Sequence, residues 1–253
     1  MKFFDSHSHY NDEKFDVDRE KILEDLYEKH IKGTICAGYG LESSKKSIEL
    51  STKYNWMYAT CGISPNDLSE TVEKDLEEIK KIATNHRIVA VGEIGLDYYW
   101  NKDNKELQKE IFIKQIQIAN RLNLPIVIHT RDAVMDTLEI LKQNECIKKG
   151  VFHCCPLNIE LVKEALKLGY YISFSGNITF KNAKSEEVIK YVPLDKMLIE
   201  TDCPYLSPEP NRGKRNTSAN LIYIAQKIAE VKQIAVEEVA QRTYENVKEL
   251  FNI

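Results

Sequence analysis

Met197-Leu198-Ile199-Glu200-Thr201-Asp202-Cys203-Pro204 reads as a short buried strand that delivers a carboxylate at its C-terminal end. Three apolar residues run into Glu200, Thr201 and Asp202, and the following proline cannot continue a regular central strand. A basic segment, Arg212-Gly213-Lys214-Arg215, comes shortly after. A buried strand that ends on a carboxylate and opens into a basic loop has the plan of an active-site edge, so the rest of the chain is read for its partners.

Seven more strand-like runs precede it, at 3–7, 33–38, 57–63, 88–94, 125–129, 151–153 and 170–175, with the last at 197–201. Amphipathic segments alternate with them, at 17–30, 42–54, 73–86, 105–122, 133–144, 159–168 and 185–191, followed by 218–231 and 235–251. In 105–122, Leu107, Ile111, Gln115 and Ile118 mark one side at helical spacing, and Ile113, Ile116 and Ala119 widen the apolar face. Gly33, Gly150 and Gly169 are expected to close the helices before them, and Pro125 to start a strand. Eight β-α repeats without a linker or low-complexity tract predict one TIM (β/α)8 barrel spanning 1–253 as a single domain.

The balance of 35 basic and 39 acidic residues, net −4, excludes a protein that coats nucleic acid or membrane through its overall field. Six cysteines without a CxxC pair read as reduced thiols. No apolar run approaches the ~20 residues that span a bilayer, and the first residues lack a secretory pattern. A cytoplasmic protein with no membrane partner is expected.

In a barrel, residues at the C-terminal ends of strands converge on one face whatever their separation in sequence. Strand one ends in His7 and His9, strand four in Glu93, strand five in His129, strand six in His153 and strand eight in Asp202. His7 and His9 lie two apart, so both imidazoles point to the same side of an extended backbone and suit a divalent transition metal. His129 or His153 alone would read as a core histidine bonded to a carbonyl; their joint placement at strand ends favours a ligand cluster. Glu93 follows Val89-Ala90-Val91-Gly92, where a carboxylate is costly to bury unless paired or bound to a cation. It is the expected bridge between two ions, with Gly92 and Gly95 leaving it room. Asp202 is a candidate ligand, general base or both, and Asp5 is either a carboxylate that orients a ligand imidazole or simply a buried strand carboxylate.

Four motifs, Phe4-Asp5-Ser6-His7-Ser8-His9, Gly92-Glu93-Ile94-Gly95-Leu96-Asp97-Tyr98-Tyr99-Trp100, Leu124 to Ala133 (LPIVIHTRDA) and Glu200-Thr201-Asp202-Cys203-Pro204-Tyr205-Leu206, resemble the signatures of the TatD family of metal-dependent deoxyribonucleases, within the amidohydrolase superfamily. The resemblance covers nearly the whole chain. It implies a TIM barrel and two divalent ions (Mg, Mn or Zn), one held by His7, His9, Glu93 and Asp202 and the other by Glu93, His129 and His153. The chain departs from the family's usual Gly-Ile-His-Pro-His at Gly62-Ile63-Ser64-Pro65-Asn66, so two imidazoles that help hold the substrate phosphate are replaced by Ser64 and Asn66.

The resulting expectation is metal-dependent hydrolysis of DNA phosphodiesters, 3'-5' exonuclease-like, on single strands or strand ends. Asp202 and Glu93 are the catalytic candidates. Arg131, Arg212 and Arg215 are candidates to clamp phosphate oxygens, and Tyr205, with Tyr98, Tyr99 and Trp100, to stack unpaired bases. The alternatives are a superfamily hydrolase acting on an ester or amide, such as a misacylated tRNA or a cyclic amide, and a non-catalytic binding protein on a retained barrel.

Overall fold

A computed structural model describes residues 1–253. Its eight strands are β1 (Phe3–Ser8), β2 (Ile31–Cys36), β3 (Met57–Cys61), β4 (Ile88–Asp97), β5 (Ile126–Arg131), β6 (Gly150–Phe152), β7 (Tyr171–Phe174) and β8 (Met197–Ile199). They form one parallel sheet in sequence order. The sheet curls into a nearly closed TIM barrel, because each strand is buried on both faces and each helical crossover returns the chain beside the strand just made. The helices are α1 (Arg19–Glu28), α2 (Leu41–Lys53), α3 (Val72–Ile82), α4 (Lys105–Leu122), α5 (Val134–Gln143), α6 (Ile159–Lys167), α7 (Glu186–Tyr191), α8 (Leu221–Lys232) and α9 (Val236–Phe251). In α4 the buried side is Ile111, Phe112, Gln115, Ile116, Ile118 and Ala119, the face predicted from spacing plus Phe112.

Local details differ from the expected pattern. β4 runs three residues past Ile94 because Gly95, Leu96 and Asp97 pair with His129, Thr130 and Arg131 of β5. β6 and β8 stop early, so His153 and Asp202 lie just beyond their strands, and Asp202 adopts a left-handed φ of 54°. Gly33 does not close a helix; it sits inside β2, where the Phe4 ring occupies the space a Cβ would take. Gly150 likewise opens β6 rather than closing α5, which ends at Gln143, and α4 is closed by Asn123 in the left-handed conformation. The 218–231 helix begins as a 3-10 turn, Ser218–Asn220, before α8. All six cysteines are free, and no helix is long and apolar enough to cross a membrane.

First and last strands are joined by side chains as well as backbone. The Asp202 N–H donates to the His7 carbonyl at 3.0 Å, and the Ser6 hydroxyl to the Ile199 carbonyl at 3.0 Å. The buried Asp5 carboxylate accepts from the Thr201 N–H at 2.9 Å, the Thr201 hydroxyl at 2.5 Å and the Ser218 hydroxyl at 2.6 Å. Those bonds overturn the orienting reading of Asp5: its oxygens are taken up in closing the barrel, and it reaches no imidazole nitrogen. Burial pushes the Asp5 carboxyl up to about 7 even though the Ser218 and Thr201 donors pull it down. Asp5→Ala would strand these three donors, and the His7 N–H that lies 3.3 Å from Oδ1, in a dry interior, at a cost of roughly 3 kcal/mol or more. Urea denaturation should show that loss, with Asp5→Asn recovering part of it.

Candidate metal centre

The C-terminal mouth of the barrel collects the strand-end residues into two groups of ligand atoms. In the first, His7 Nε2 lies 3.1 Å from His9 Nε2, 3.4 Å from Glu93 Oε2 and 3.7 Å from Asp202 Oδ1. His9 Nε2 lies 3.1 Å from Asp202 Oδ1 and 3.8 Å from Glu93 Oε2. A tetrahedron of ligands at zinc-like bond lengths has edges of about 3.3 Å. His7, His9 and Glu93 thus bring three ligand atoms close enough together to hold one ion, with Asp202 Oδ1 beside both imidazoles. In the second group Glu93 Oε1 is 3.1 Å from His129 Nδ1 and 3.5 Å from His153 Nε2, and the two imidazole nitrogens are 3.2 Å apart. Glu93 thus turns one oxygen to each group.

The donor chemistry fits metal ions: imidazoles and carboxylates, four of the six buried and His129 and Asp202 partly so, face one another. The buried Nδ1 atoms of His7 and His9 have no protein partner, so nothing competes for the orientation of their rings. Burial disfavours charge throughout, yet at every ligand candidate but His7 the neighbours outweigh it. Asp202 and Glu93 raise His9, Asp97 and Glu93 raise His129, and Glu93 and Glu200 raise His153 well above the usual range. His7 is lowered by burial and by His153. Glu93 is held well below the usual carboxylate range by His153, His129 and His7, and Asp202 is lowered by His9 and His7.

The facing carboxylates favour the protonated form of these imidazoles in the metal-free protein, and a binding metal would displace those protons. Apparent metal affinity is therefore expected to rise with pH across neutrality. Calorimetric titration at pH 7 in two buffers of different ionisation heat should reveal net proton release; equal heats in both would contradict it.

Two carboxylates behind the ligands escape the sequence reading. Asp97 Oδ2 lies 3.0 Å from His129 Nε2 and accepts from Asn66 Nδ2 at 3.1 Å, while Oδ1 accepts the N–H groups of Tyr99 and Trp100 at 2.9 Å each. Despite its burial those donors hold the Asp97 carboxyl down at about 2. Glu200 Oε1 lies 3.3 Å from His153 Nδ1 and accepts the Cys154 N–H at 2.6 Å. Such carboxylates fix a ligand imidazole's tautomer and orientation. The signal was spacing: Asp97 is four residues after Glu93 and Glu200 two before Asp202, on the same face of an extended run.

Around this centre lies a cavity of about 1030 Å³, bordered by His9, Glu93, His129, His153 and Asp202, and also by Arg131 and Tyr205. Arg131 is its one Lys or Arg, against the carboxylates of Asp12, Asp67 and Asp132 beyond the ligands. The structure does not bring Arg212 or Arg215 there. Arg215 grips Asp18, with Nη1 2.9 Å from Oδ1 and Nη2 2.5 Å from Oδ2, and Arg212 lies over the Phe180 ring at 3.7 Å. Tyr98 is buried with its hydroxyl donating to Asp136 at 2.7 Å. Asn66 stands among the cavity residues but spends its amide N–H on Asp97, and its carbonyl accepts from Asn101 at 3.0 Å.

A barrel of this type carrying His and carboxylate ligands at its mouth defines a metal-dependent hydrolase. The chain belongs to the TatD family: the family described as "TatD related DNase" matches residues 4–252. It is 42% identical over 253 residues to the uncharacterized metal-dependent hydrolase YabD of Bacillus subtilis, covering 99% of each chain. It is 38% identical to the uncharacterized metal-dependent hydrolase YcfH of Escherichia coli K12, covering 100% of this chain and 97% of that one. Among solved structures, the TatD homolog YJJV of Escherichia coli K12 superimposes with a TM-score of 0.93 at 27% identity, covering 99% of this chain and 98% of that one.

Proposed function

We propose that this hydrolase is a deoxyribonuclease that trims single-stranded DNA or strand ends, 3'-5' exonuclease-like, using two divalent ions (Mg, Mn or Zn). The observation that carries the reading is Glu93, whose two oxygens face two separate ligand groups 3.1–3.8 Å across. His7, His9, Glu93 and Asp202 would hold one ion, and Glu93, His129 and His153 the other. When bound, such a pair supplies an activated water and charge stabilisation for both the entering and leaving oxygens of a phosphodiester.

The chain's own groups do the rest. Asp202 meets His7 and His9 through Oδ1, which leaves Oδ2 to take a proton from the attacking water, and its lowered pKa keeps it ionised for that role. Asp97 holds His129 in orientation, and Glu200 stands 3.3 Å from His153 Nδ1. Arg131 is placed to receive a phosphate oxygen at the rim. The free thiols support a reducing compartment, and we assign the reaction to the cytoplasm.

The cavity's acidic rim favours a second reading, an ester or amide hydrolase acting on a less anionic substrate. The two separate in one experiment. Purified protein with Mg²⁺ or Mn²⁺ should shorten end-labelled single-stranded DNA, and Asp202→Ala should not. Intact DNA together with turnover of a carboxylic ester or amide would transfer the assignment to the second reading.

A further inference from the structure

Five aromatic side chains stand near the mouth, and their surroundings separate them; Tyr39 is partly buried and edge-on to His9 at 5.4 Å. Tyr98 is buried. The Tyr205 ring lies under Lys14, 4.1 Å from its centroid, and its hydroxyl donates to Asp12 at 2.8 Å. Tyr99 and Trp100 are 47% and 66% exposed and meet edge to face, centroids 4.9 Å apart at 88°. Arg131 lies over Tyr99 at 4.0 Å and beside Trp100 at 5.5 Å. No carboxylate pairs with that guanidinium, whereas Arg19 and Arg215 have acidic partners. Trp100 and Arg131 both border the cavity; Tyr99 does not.

The geometry points to a nucleotide subsite at this rim, in which the Trp100 indole stacks on an unpaired base and Arg131 takes a phosphate of the same strand. The assignment rests on the deoxyribonuclease reading and names what that site grips beside the scissile bond. An indole face left mostly in water has contact area to offer, and base-aromatic stacking tolerates any base. The Tyr99 ring packs against the guanidinium at 4.0 Å, and with no carboxylate paired to it the N–H groups are left for a phosphate.

The platform is also tied to the chemistry. Asp97 accepts the Tyr99 and Trp100 backbone N–H groups on one oxygen and faces His129 with the other. One carboxylate therefore sets both the turn that presents the indole and the ring of a ligand histidine. Arg131 lies two residues beyond His129 on β5, paired with Asp97 across the sheet. A base resting on Trp100 fixes where its neighbouring phosphate falls relative to the ligand groups.

The chain has two tryptophans, which makes the subsite directly readable. Trp56 is buried, stacked on Tyr27 at 5.6 Å and edge-on to Tyr54 at 6.2 Å, so ligand quenching of fluorescence reports Trp100. Wild-type protein in Mg²⁺ is titrated with phosphorothioate-linked tetrathymidylate, which resists hydrolysis, and with the same backbone carrying abasic spacers. The base-bearing oligomer should quench and bind about tenfold more tightly than the abasic one. Trp100→Ala should abolish that difference, and Trp100→Phe should restore most of the affinity without the signal. Arg131→Ala should weaken both oligomers.

Equal quenching and affinity for the two oligomers would overturn the stacking assignment. So would absence of quenching while the wild-type enzyme hydrolyses ordinary tetrathymidylate, an outcome that leaves the deoxyribonuclease reading standing. Base-dependent quenching without hydrolysis of any DNA would keep the platform and sink the nuclease.

Discussion

Glu93→Gln should lower hydrolysis by at least about a thousandfold, equivalent to roughly 4 kcal/mol of transition-state stabilisation. The native carboxylate presents Oε2 to His7 and His9 and Oε1 to His129 and His153. An amide keeps the shape but replaces one acceptor with an N–H₂ donor, so one ligand group must face hydrogens. It also removes the charge that offsets the His153 and His129 imidazoles. Steady-state kinetics at saturating metal should show the rate loss, and elemental analysis should show fewer ions per chain than wild type. A variant with full metal content and ordinary rate would refute the bridging role.

The second large effect is structural. Gly95→Ala should destabilise the protein by at least about 4 kcal/mol, into the range reserved for specific steric or strain failures. Gly95 has φ of 141°, and a Cβ there would lie 2.0 Å from the His129 carbonyl oxygen, a backbone atom with nowhere to go. Gly92 is tight in the same way, with Val127 2.5 Å from its Cβ position. The two glycines flanking Glu93 therefore do not make room for its side chain, as the sequence suggested. They let β5 approach β4 closely enough to put His129 beside it. Soluble yield and urea unfolding of Gly95→Ala are the measurement, and a two-state curve with the wild-type midpoint would contradict the argument.

Much of the architecture is legible in the sequence because a parallel barrel imposes a simple code: apolar runs for strands buried on both faces, and amphipathic periods for the helices that cover them. The convergence of His7, His9, Glu93, His129, His153 and Asp202 follows from that code alone, since strand ends meet at one mouth. Side-chain partnerships are less legible. Arg215 reads as a phosphate ligand in isolation, and only folding reveals that Asp18, on the far side of the sequence, already holds it in a two-pronged ion pair. Asp5 fails for the same reason, its partners Thr201 and Ser218 being supplied by the closing strand and the turn after it. Asp97 and Glu200 were within reach of a period-two argument, but nothing local separates such a carboxylate from an ordinary buried one.

The joining of β1 to the end of β8 also fixes an order of events during synthesis. His7 and His9 are made nearly two hundred residues before Asp202, whose Oδ1 meets them in the folded barrel. The second group, Glu93, His129 and His153, is finished earlier. A chain cut before β8 therefore loses both the seam that closes the barrel on β1 and the Asp202 carboxylate that faces His7 and His9, so one truncation removes fold and site together.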